Sequence, residues 1–512
     1  MTAPAKSVLV ALSLALAATV HAETPADAPV LSLHDLIVGA VNSNLELSAR
    51  RLDPEIQDNR LDGAWAAFEP TWIAGYSYSS SERAQNYVNN TLGQRFAPVF
   101  EEEVSRWQTG IAGRLPFGTQ YELLTGFDRT NNTSIRTAGN GFSTVTAAFR
   151  PEYLSTTTLT LTQPLLREFG PAANLAEVRL QKSTLKTAKH DLTATALRVI
   201  RDVASAYYEM VFAQENIRVK QEAVAVAEAL VRDNQRRLDE GRMAPIDVTQ
   251  AQSRLAEARE ELLLAENFLA QRRNTLRELT RDEFGFDEAA FTVDPSFIVR
   301  EAPSLDRERA LSTLFEQNPT YLAGVELAKS EDIRIAYAKN QRWPRVDLKA
   351  SFGYNGLAGD AGDAYADYEN RQEPTYSVGV VVNVPIGNRA AKARLREAEN
   401  RKRQALFNLK RTEVVLLSAF DTAQRDIASA VERNRLVQDS VKLAAAALDA
   451  QQRILGTGRT TSYEVAQAQR DLSQIRSREL ATLVDLNKSV AQLQFVLGTL
   501  AEHLRVDLKG AE

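Results

Sequence analysis

Apolar residues recur at alternating intervals of three and four along two segments of the chain, which is the spacing of one packed helix face. In the first segment nine of the ten positions are apolar and Arg272 is the exception: Val248, Ala251, Leu255, Ala258, Leu262, Ala265, Leu269, Arg272, Leu276 and Leu279. Seven of ten fit in the second: Val465, Ala468, Leu472, Ile475, Glu479, Thr482, Leu486, Ser489, Leu493 and Val496. Each follows a proline-free run, 172–238 or 389–455, long enough for roughly 100 Å of helix. We predict two long antiparallel coiled-coil helical hairpins.

A second pattern, apolar residues alternating with small or polar ones, predicts β-strands. It covers Trp72 to Tyr78, Val346 to Asn355 and Tyr376 to Val384. Alternation of this kind is typical of a membrane strand with lipid on one side and water on the other, and equally of a strand in a soluble β-sandwich. Aromatic residues near the strand ends favour the membrane: Trp72, Trp107, Tyr121, Tyr153, Tyr354 and Tyr376.

The strand-bearing segments differ in length between the two halves of the chain. Pro164 lies 94 residues after Pro70, whereas Pro385 lies only 41 residues after Pro344. Much of the excess predicts a hairpin, with alternating residues 107–115, a turn at 116–119 and alternating residues 121–127. This makes six strands in place of four. The alternative is a long external loop with its own ribbon. Outward-facing loops are predicted at Ser81–Glu103, Asn131–Pro151 and Gly356–Pro374.

An internal duplication sets the domain organisation. The run 241–252, GRMAPIDVTQAQ, returns 217 residues later as 458–469, GRTTSYEVAQAQ. Residues 1–22 have the layout of a secretory signal peptide, with Lys6, an apolar stretch and a small-residue cleavage site. We predict a first repeat at 23–300, with a β segment at about 71–164 and a hairpin at about 172–284. A second repeat follows at 301–505, with a β segment at about 345–385 and a hairpin at about 389–500, then a tail at 506–512.

Composition excludes several classes of function. The formal net charge is −5 and basic and acidic residues are mixed along the helices, which argues against a nucleic-acid partner. There is no cysteine and there are four histidines, with no metalloprotease or phosphate-loop motif. We therefore expect no enzyme activity, no cofactor and no metal site. Asp360, Asp363, Asp367 and Glu369 are the one acidic group considered for calcium, but their spacing matches no known calcium loop.

These features in this order resemble the TolC-like outer-membrane efflux protein family over nearly all of the mature chain. The resemblance implies an α+β membrane protein in which three copies share one transmembrane β-barrel and their helical hairpins form a periplasmic α-barrel. It implies a passive exit duct in the outer membrane of a Gram-negative bacterium, serving a tripartite efflux or type I secretion system. A homotrimer, a periplasmic adaptor protein, an inner-membrane transporter and outer-membrane lipid are the expected partners. With six strands per copy, the barrel would have eighteen.

The resemblance also assigns candidate site residues at the two glycine turns. Asp247 and Glu464 would line the periplasmic aperture as a ring of carboxylates. Gly241, Arg242, Gly458 and Arg459 would form the hairpin tips that contact the adaptor. A simpler explanation of both acids is that an acid in the first turn of a helix complements the helix dipole. The tyrosine that some family members place near this aperture has no counterpart, since Leu238 and Leu455 stand three residues before the glycines.

Two other classes of protein fit the sequence less well. A monomeric porin needs at least eight strands of its own, more than this sequence provides. A soluble periplasmic coiled-coil scaffold accounts for the helices and the signal peptide but leaves the aromatic strands unexplained.

Overall fold

The computed structural model describes residues 30–84, 99–132, 151–280, 291–298, 306–370, 373–457 and 459–506. The predicted signal peptide, most of the C-terminal tail and Gly458 lie outside the described residues.

Helices account for most of the described chain. The short helices are α1 (Leu33–Ser43), α2 (Leu45–Trp65), α3 (Pro171–Asn174), α6 (Arg307–Gln317), α7 (Pro319–Asn340), α8 (Ala361–Glu369) and α11 (Leu500–His503). The long helices are α4 (Ala176–Asp239), α5 (Pro245–Thr280), α9 (Arg389–Gly456) and α10 (Ser462–Leu497). The described helices contain no stretch long and apolar enough to cross a membrane.

The strands form two sheets. β1 (Val30–Leu31) pairs in parallel with β6 (Thr292–Val293). The larger sheet contains β2 (Thr71–Ala84), β3 (Val99–Arg114), β4 (Gln120–Asn132), β5 (Glu152–Pro164), β7 (Arg345–Ala358) and β8 (Glu373–Asn383). Its order is β2-β3-β4-β5-β7-β8, and every neighbouring pair is antiparallel.

The two halves of the chain therefore contribute four strands and two strands to one sheet. The hairpin predicted at 107–127 is present as β3 and β4, and these strands lie inside the sheet between β2 and β5. The alternative of a separate external ribbon is wrong. The turn between them closes with Gly118 donating its N–H to Leu115 O at 2.8 Å, and Gly118 has φ +96°, which favours glycine.

The register separates the sheet into an apolar face and a polar face. One row of directly paired residues crosses all six strands on the apolar face: Trp72, Ile111, Leu123, Leu159, Phe352 and Tyr376. A row on the opposite face contains Gly75, Gln108, Gly126, Thr156, Asn355 and Glu373. Trp72 is 72% exposed and Tyr376 is 78% exposed, so the described residues leave most of both side chains uncovered.

The predicted outward-facing loops are shorter than expected. β2 continues to Ala84 and β3 starts at Val99, so both ends of the predicted loop 81–103 are paired strand, and Arg83 forms an ion pair with Glu102 at 3.0 Å. The sequence pattern did not predict these strand ends because their side chains are mostly polar, and backbone pairing does not require apolar residues. The third predicted loop contains α8, which the sequence pattern did not indicate. Residues 85–98 and 133–150 lie outside the described residues.

The chain divides into two compact units, one made of 1–39, 203–300 and 433–487 and the other of 40–202, 301–432 and 488–512. Both units contain segments from both predicted repeats, so neither compact unit corresponds to a single repeat. The first unit contains both glycine turns, and the second contains the six-stranded sheet.

The predicted heptad positions lie on packed helix faces. In α5 all ten positions from Val248 to Leu279 are buried or half-buried, while Leu263 and Leu264 beside them are more than half exposed. The ten positions of α10 are likewise buried or half-buried. The three positions that break the apolar pattern in α10 are therefore polar residues on a packed face, and one of them, Thr482, is 5% exposed.

Candidate functional site

The first tip (residues 240–244) joins α4 to α5 by a glycine-dependent turn. Gly241 has φ +72° and donates its N–H to Leu238 O at 2.8 Å, and the Arg242 N–H bonds to Arg237 O at 2.8 Å. These bonds satisfy the last carbonyl groups of α4 in the manner of a Schellman turn. Pro245 then begins α5, where a missing backbone N–H costs nothing.

Asp247 occupies the third position of α5 and is half-buried. Its Oδ2 accepts a hydrogen bond from the Ala244 N–H at 3.3 Å. This is one half of a capping box, in which an acid at the third helical position satisfies the N–H of the residue that precedes the helix. The carboxylate of Asp247 thus helps to start α5, as the simpler explanation of this residue requires.

The second tip (residues 457–461, apart from Gly458) joins α9 to α10. The Thr457 and Arg459 N–H groups both bond to Ile454 O, at 3.1 Å and 3.3 Å. Here Thr461 supplies the cap, and its Oγ1 accepts a hydrogen bond from the Glu464 N–H at 3.4 Å. The Glu464 side chain is exposed, so this acid presents its carboxylate to solvent.

The arginines beside the glycines are also exposed. Arg242 forms an ion pair with Glu240 at 3.1 Å, within the same turn. An exposed pair of this kind contributes little to stability. Both Arg242 and Arg459 are thus accessible at the ends of their hairpins.

Asn234 links the starts of the two returning helices, and the sequence analysis did not identify it. The residue is 0% exposed. Its Nδ2 donates to Asp247 O at 3.3 Å, and its Oδ1 accepts from Ser462 Oγ at 2.8 Å. The first turns of α5 and α10 are therefore joined through one buried amide side chain.

The predicted duplication aligns Asn234 with another amide residue. An offset of 217 residues places Gln451 in the equivalent position of the second repeat. The Gln451 Oε1 accepts a hydrogen bond from Thr460 Oγ1 at 3.0 Å, inside the second tip. Near the ends of both outgoing helices, α4 and α9, an amide side chain thus bonds to a residue of a tip or of a returning helix.

A cation–π contact lies beside the second tip. The Arg254 guanidinium sits 5.4 Å from the centre of the Tyr463 ring and donates to Glu257 at 2.7 Å. The hydrogen bond to Glu257 is the main cause of a raised pKa for Arg254, so this arginine stays charged. Arg470 approaches the same Glu257 at 3.8 Å. A tyrosine therefore lies beside the second tip, in the first turn of α10, one residue before Glu464 and not before the glycine.

The acidic group that begins at Asp360 has a structural role. Asp360 caps α8, accepting from the N–H groups of Gly362 at 2.8 Å and Asp363 at 3.0 Å. Across the described ranges, no three His, Asp or Glu residues are grouped closely enough to hold a metal ion.

The known proteins to which this chain is similar are outer-membrane proteins. Residues 124–280 and 316–499 match the family described as Outer membrane efflux protein. Over 336 residues the chain is 26% identical to Outer membrane protein TolC of Vibrio cholerae serotype O1, covering 63% of this chain and 73% of that protein.

Solved structures share the fold. The outer membrane protein VceC of Vibrio cholerae aligns with a TM-score of 0.63 at 18% identity, covering 91% of this chain and 96% of that one. The open state of the MtrE outer membrane channel of Neisseria gonorrhoeae aligns with a TM-score of 0.60 at 16% identity, covering 91% and 89%. Because the family match covers more than half of the residues, the chain belongs to the outer membrane efflux protein family, whose members are outer-membrane channels of Gram-negative bacteria and not enzymes.

Proposed function

We propose that three copies of this chain form a passive exit duct that carries cargo from a periplasmic adaptor and an inner-membrane transporter to the cell exterior. The observation that carries this proposal is an open six-stranded sheet with one apolar face. A single chain leaves Trp72 and Tyr376 mostly exposed at the two edge strands. Lipid against this face would bury the apolar row, and water against the other face suits its polar row.

The two sheet edges require partners. β2 and β8 each pair with only one neighbour in the described sheet, and an open edge inside a membrane leaves backbone N–H and C=O groups unsatisfied. Pairing β2 of one copy with β8 of the next satisfies both edges in an antiparallel arrangement. Three copies then close an eighteen-stranded barrel.

The hairpin tips are proposed as the periplasmic aperture. Asp247 and Glu464 from three copies would place six carboxylates around the opening, and a narrow ring of carboxylates favours cations. The contacts that join Arg254 to Tyr463 and Glu257 lie at the same level of the hairpins and would hold the closed state. The exposed tip residues Gly241, Arg242 and Arg459, with Gly458, would contact the adaptor. The duct itself supplies no energy, which would come from the inner-membrane transporter.

The first test is the mass of the signal-cleaved protein, extracted from outer membranes in detergent and measured by light scattering. A protein mass near three chains supports the shared barrel. A monomer, or protein left in the soluble fraction, would overturn the proposal and return the coiled-coil scaffold to consideration.

The second test traps the barrel seam. The chain has no cysteine, so an introduced pair reports one contact. Ala74→Cys in β2 is combined in turn with Val378→Cys, Val380→Cys or Val382→Cys in β8, all on the apolar face. At least one combination is expected to give disulfide-linked trimers on a denaturing gel. The matched control replaces Ala74→Cys by Thr125→Cys, which lies in the same row but in the central strand β4, and should give none.

A further inference from the structure

We propose that α2 of one copy packs against residues 389–414 of α9 of the next copy, and that a stripe of acids on and just after α2 pairs with a stripe of arginines on α9. This interaction surface rests on the shared barrel proposed above. It assigns a partner, a second copy of this chain, to two helix faces that the described residues of one copy leave uncovered.

The topology brings these two helices together. α2 ends at Trp65, shortly before edge strand β2 begins at Thr71, and α9 begins at Arg389, the same number of residues after edge strand β8 ends at Asn383. If β2 pairs with β8 of a neighbouring copy, the inner ends of these strands place α2 beside the neighbour's α9. Since α2 runs toward the sheet and α9 runs away from it, the two helices are antiparallel.

α2 has an apolar face that no described residue of its own copy covers. Leu45, Leu52 and Ile56 are 59%, 53% and 45% exposed, and they share this face with Ala49, Asn59 and Gly63, all exposed. The spacing alternates between four and three residues from 45 to 63, which is the period of a helix packed against another helix. The buried residues Leu47 and Pro54 lie on the opposite side of α2.

α9 has an equivalent uncovered face. Ala393, Asn400, Phe407 and Val414 are exposed and recur at seven-residue intervals, with Phe407 at 76% and Val414 at 57%. The buried seam of α9 in this region is formed by Ala391, Leu395, Ala398 and Ala405 and lies on the opposite side of the helix. Both helices thus present one face to their own copy and a second face of matching period outward.

The charges beside these two faces are complementary. Glu55 and Asp62 lie seven residues apart on α2, and Glu69 follows seven residues later, just after the short 3₁₀ turn at Ala66–Phe68. Arg389, Arg396 and Arg403 recur every seven residues on α9. All six are exposed, and none forms an ion pair within the described ranges. Arginine stems can cover apolar surface while the guanidinium groups reach carboxylates at the rim.

The antiparallel arrangement matches the two stripes in order. Glu69 and Arg389 both lie close to the sheet, Asp62 and Arg396 lie seven residues further from it, and Glu55 and Arg403 lie another seven residues away. In the same order, Leu45 reaches the level of Val414, so the apolar residues farthest from the sheet meet each other. One register therefore satisfies three charge pairs and an apolar contact.

The basic character of α9 near the sheet supports the same arrangement. Residues 389–411 contain nine Lys or Arg residues and two Glu residues, whereas residues 45–69 contain six Asp or Glu residues and three Arg residues. Some basic groups already have partners in their own copy, such as Lys402 with Asp332 at 2.8 Å. The stripe arginines are the ones on the outward face.

Charge reversal tests this surface in the assembled protein. The variant Glu55→Lys with Asp62→Lys, and the variant Arg396→Glu with Arg403→Glu, are each expected to lower the midpoint temperature of trimer dissociation by roughly 2–5 °C. Combining all four substitutions should restore at least half of each loss, because the pairs are then opposite in sign again. Dissociation is followed by light scattering in detergent at low and high salt, and the effect should shrink at high salt.

The matched control uses the same two helices. Asp58→Lys and Arg394→Glu reverse exposed charges that lie away from the two outward faces and have no ion pair within the described ranges. They should change the midpoint by a small fraction of the stripe variants' effect. An equal effect would overturn the proposal, because it would show that net charge alone acts.

A cysteine pair tests directly whether α2 and α9 of neighbouring copies are in contact. Asp62→Cys with Arg396→Cys is expected to form a disulfide between copies and a covalent trimer, whereas Asp58→Cys with Arg394→Cys is not. Absence of this disulfide, together with additive charge reversals, would overturn the helix contact even where the β2–β8 disulfide forms and the shared barrel stands. If the arginine reversals instead weaken binding to phosphatidylglycerol vesicles without rescue from α2, the stripe faces lipid headgroups and the proposal is wrong.

Discussion

The two hairpin tips start from the same sequence pattern and begin their returning helices in different ways. At the first tip Asp247 bonds back to the Ala244 N–H, while at the second tip Thr461 accepts the Glu464 N–H. Each tip thus uses one half of a capping box. The reason lies in one residue, because Ala244 has no side-chain oxygen and Thr461 has one.

This difference makes the two acids unequal despite their equivalent positions. The Asp247 carboxylate contributes to the stability of α5, whereas the exposed Glu464 carboxylate has no capping bond to lose. A change at Asp247 therefore combines a folding effect with any effect on the aperture. A change at Glu464 isolates the aperture.

The largest effect is expected from a substitution that breaks the link between the tips. Asn234→Ala removes a buried amide and leaves the Ser462 hydroxyl and Asp247 carbonyl without this partner, which costs about 1–3 kcal/mol. Hydrogen exchange at residues 244–250 and 462–468 should accelerate by roughly tenfold or more. The matched variant Gln451→Ala, at the equivalent position of the second repeat, removes a single bond within one tip and should accelerate exchange less. Equal effects would show that Asn234 does not join the tips.

The next largest effect concerns the glycine of the first tip. Gly241→Ala forces alanine to adopt φ +72° and should cost about 1 kcal/mol or more, although open space surrounds the position. The control is Gly456→Ala, at the end of α9, where a side chain also meets nothing within 4 Å and φ is not positive. That change should be neutral or stabilising by about 0.5–1 kcal/mol. Proteolysis at the tips, compared between the two variants, measures the difference, and equal cleavage would rule out the strained turn.

Periodicity was sufficient to predict much of the fold. The heptads of α5 and α10 and the alternation in β2, β7 and β8 follow directly from burying one face of each element. The turn residues at 116–119 predicted the β3–β4 hairpin. The helix α8 was missed because its nine residues are too few for a periodic signal and its cap, Asp360, resembled part of a polar loop.

The candidate site was predicted only in part. The glycine turns and the acids were visible because the duplication aligns them. Asn234 was not, since one polar residue in a long helix carries no periodic signal and its partners, Asp247 and Ser462, are separated from it by 13 and 228 residues. The contact of Arg254 with Tyr463 was missed for the same reason. Such contacts depend on how the two hairpins pack, which local sequence does not encode.

The smallest effect on stability is expected from Glu464→Gln, and it gives the sharpest comparison of the two tips. Removing this exposed charge should leave hydrogen exchange in α10 unchanged and lower the preference for cations of channels reconstituted in planar bilayers. Asp247→Asn should lower that preference as well, and should also accelerate exchange at the start of α5, because it weakens a bond worth about 0.5–1 kcal/mol. Two variants that change selectivity equally but stability unequally would separate the aperture role from the capping role. If neither variant changes selectivity while Asp247→Asn still accelerates exchange, these acids serve only to begin their helices, and the aperture must be lined by other residues.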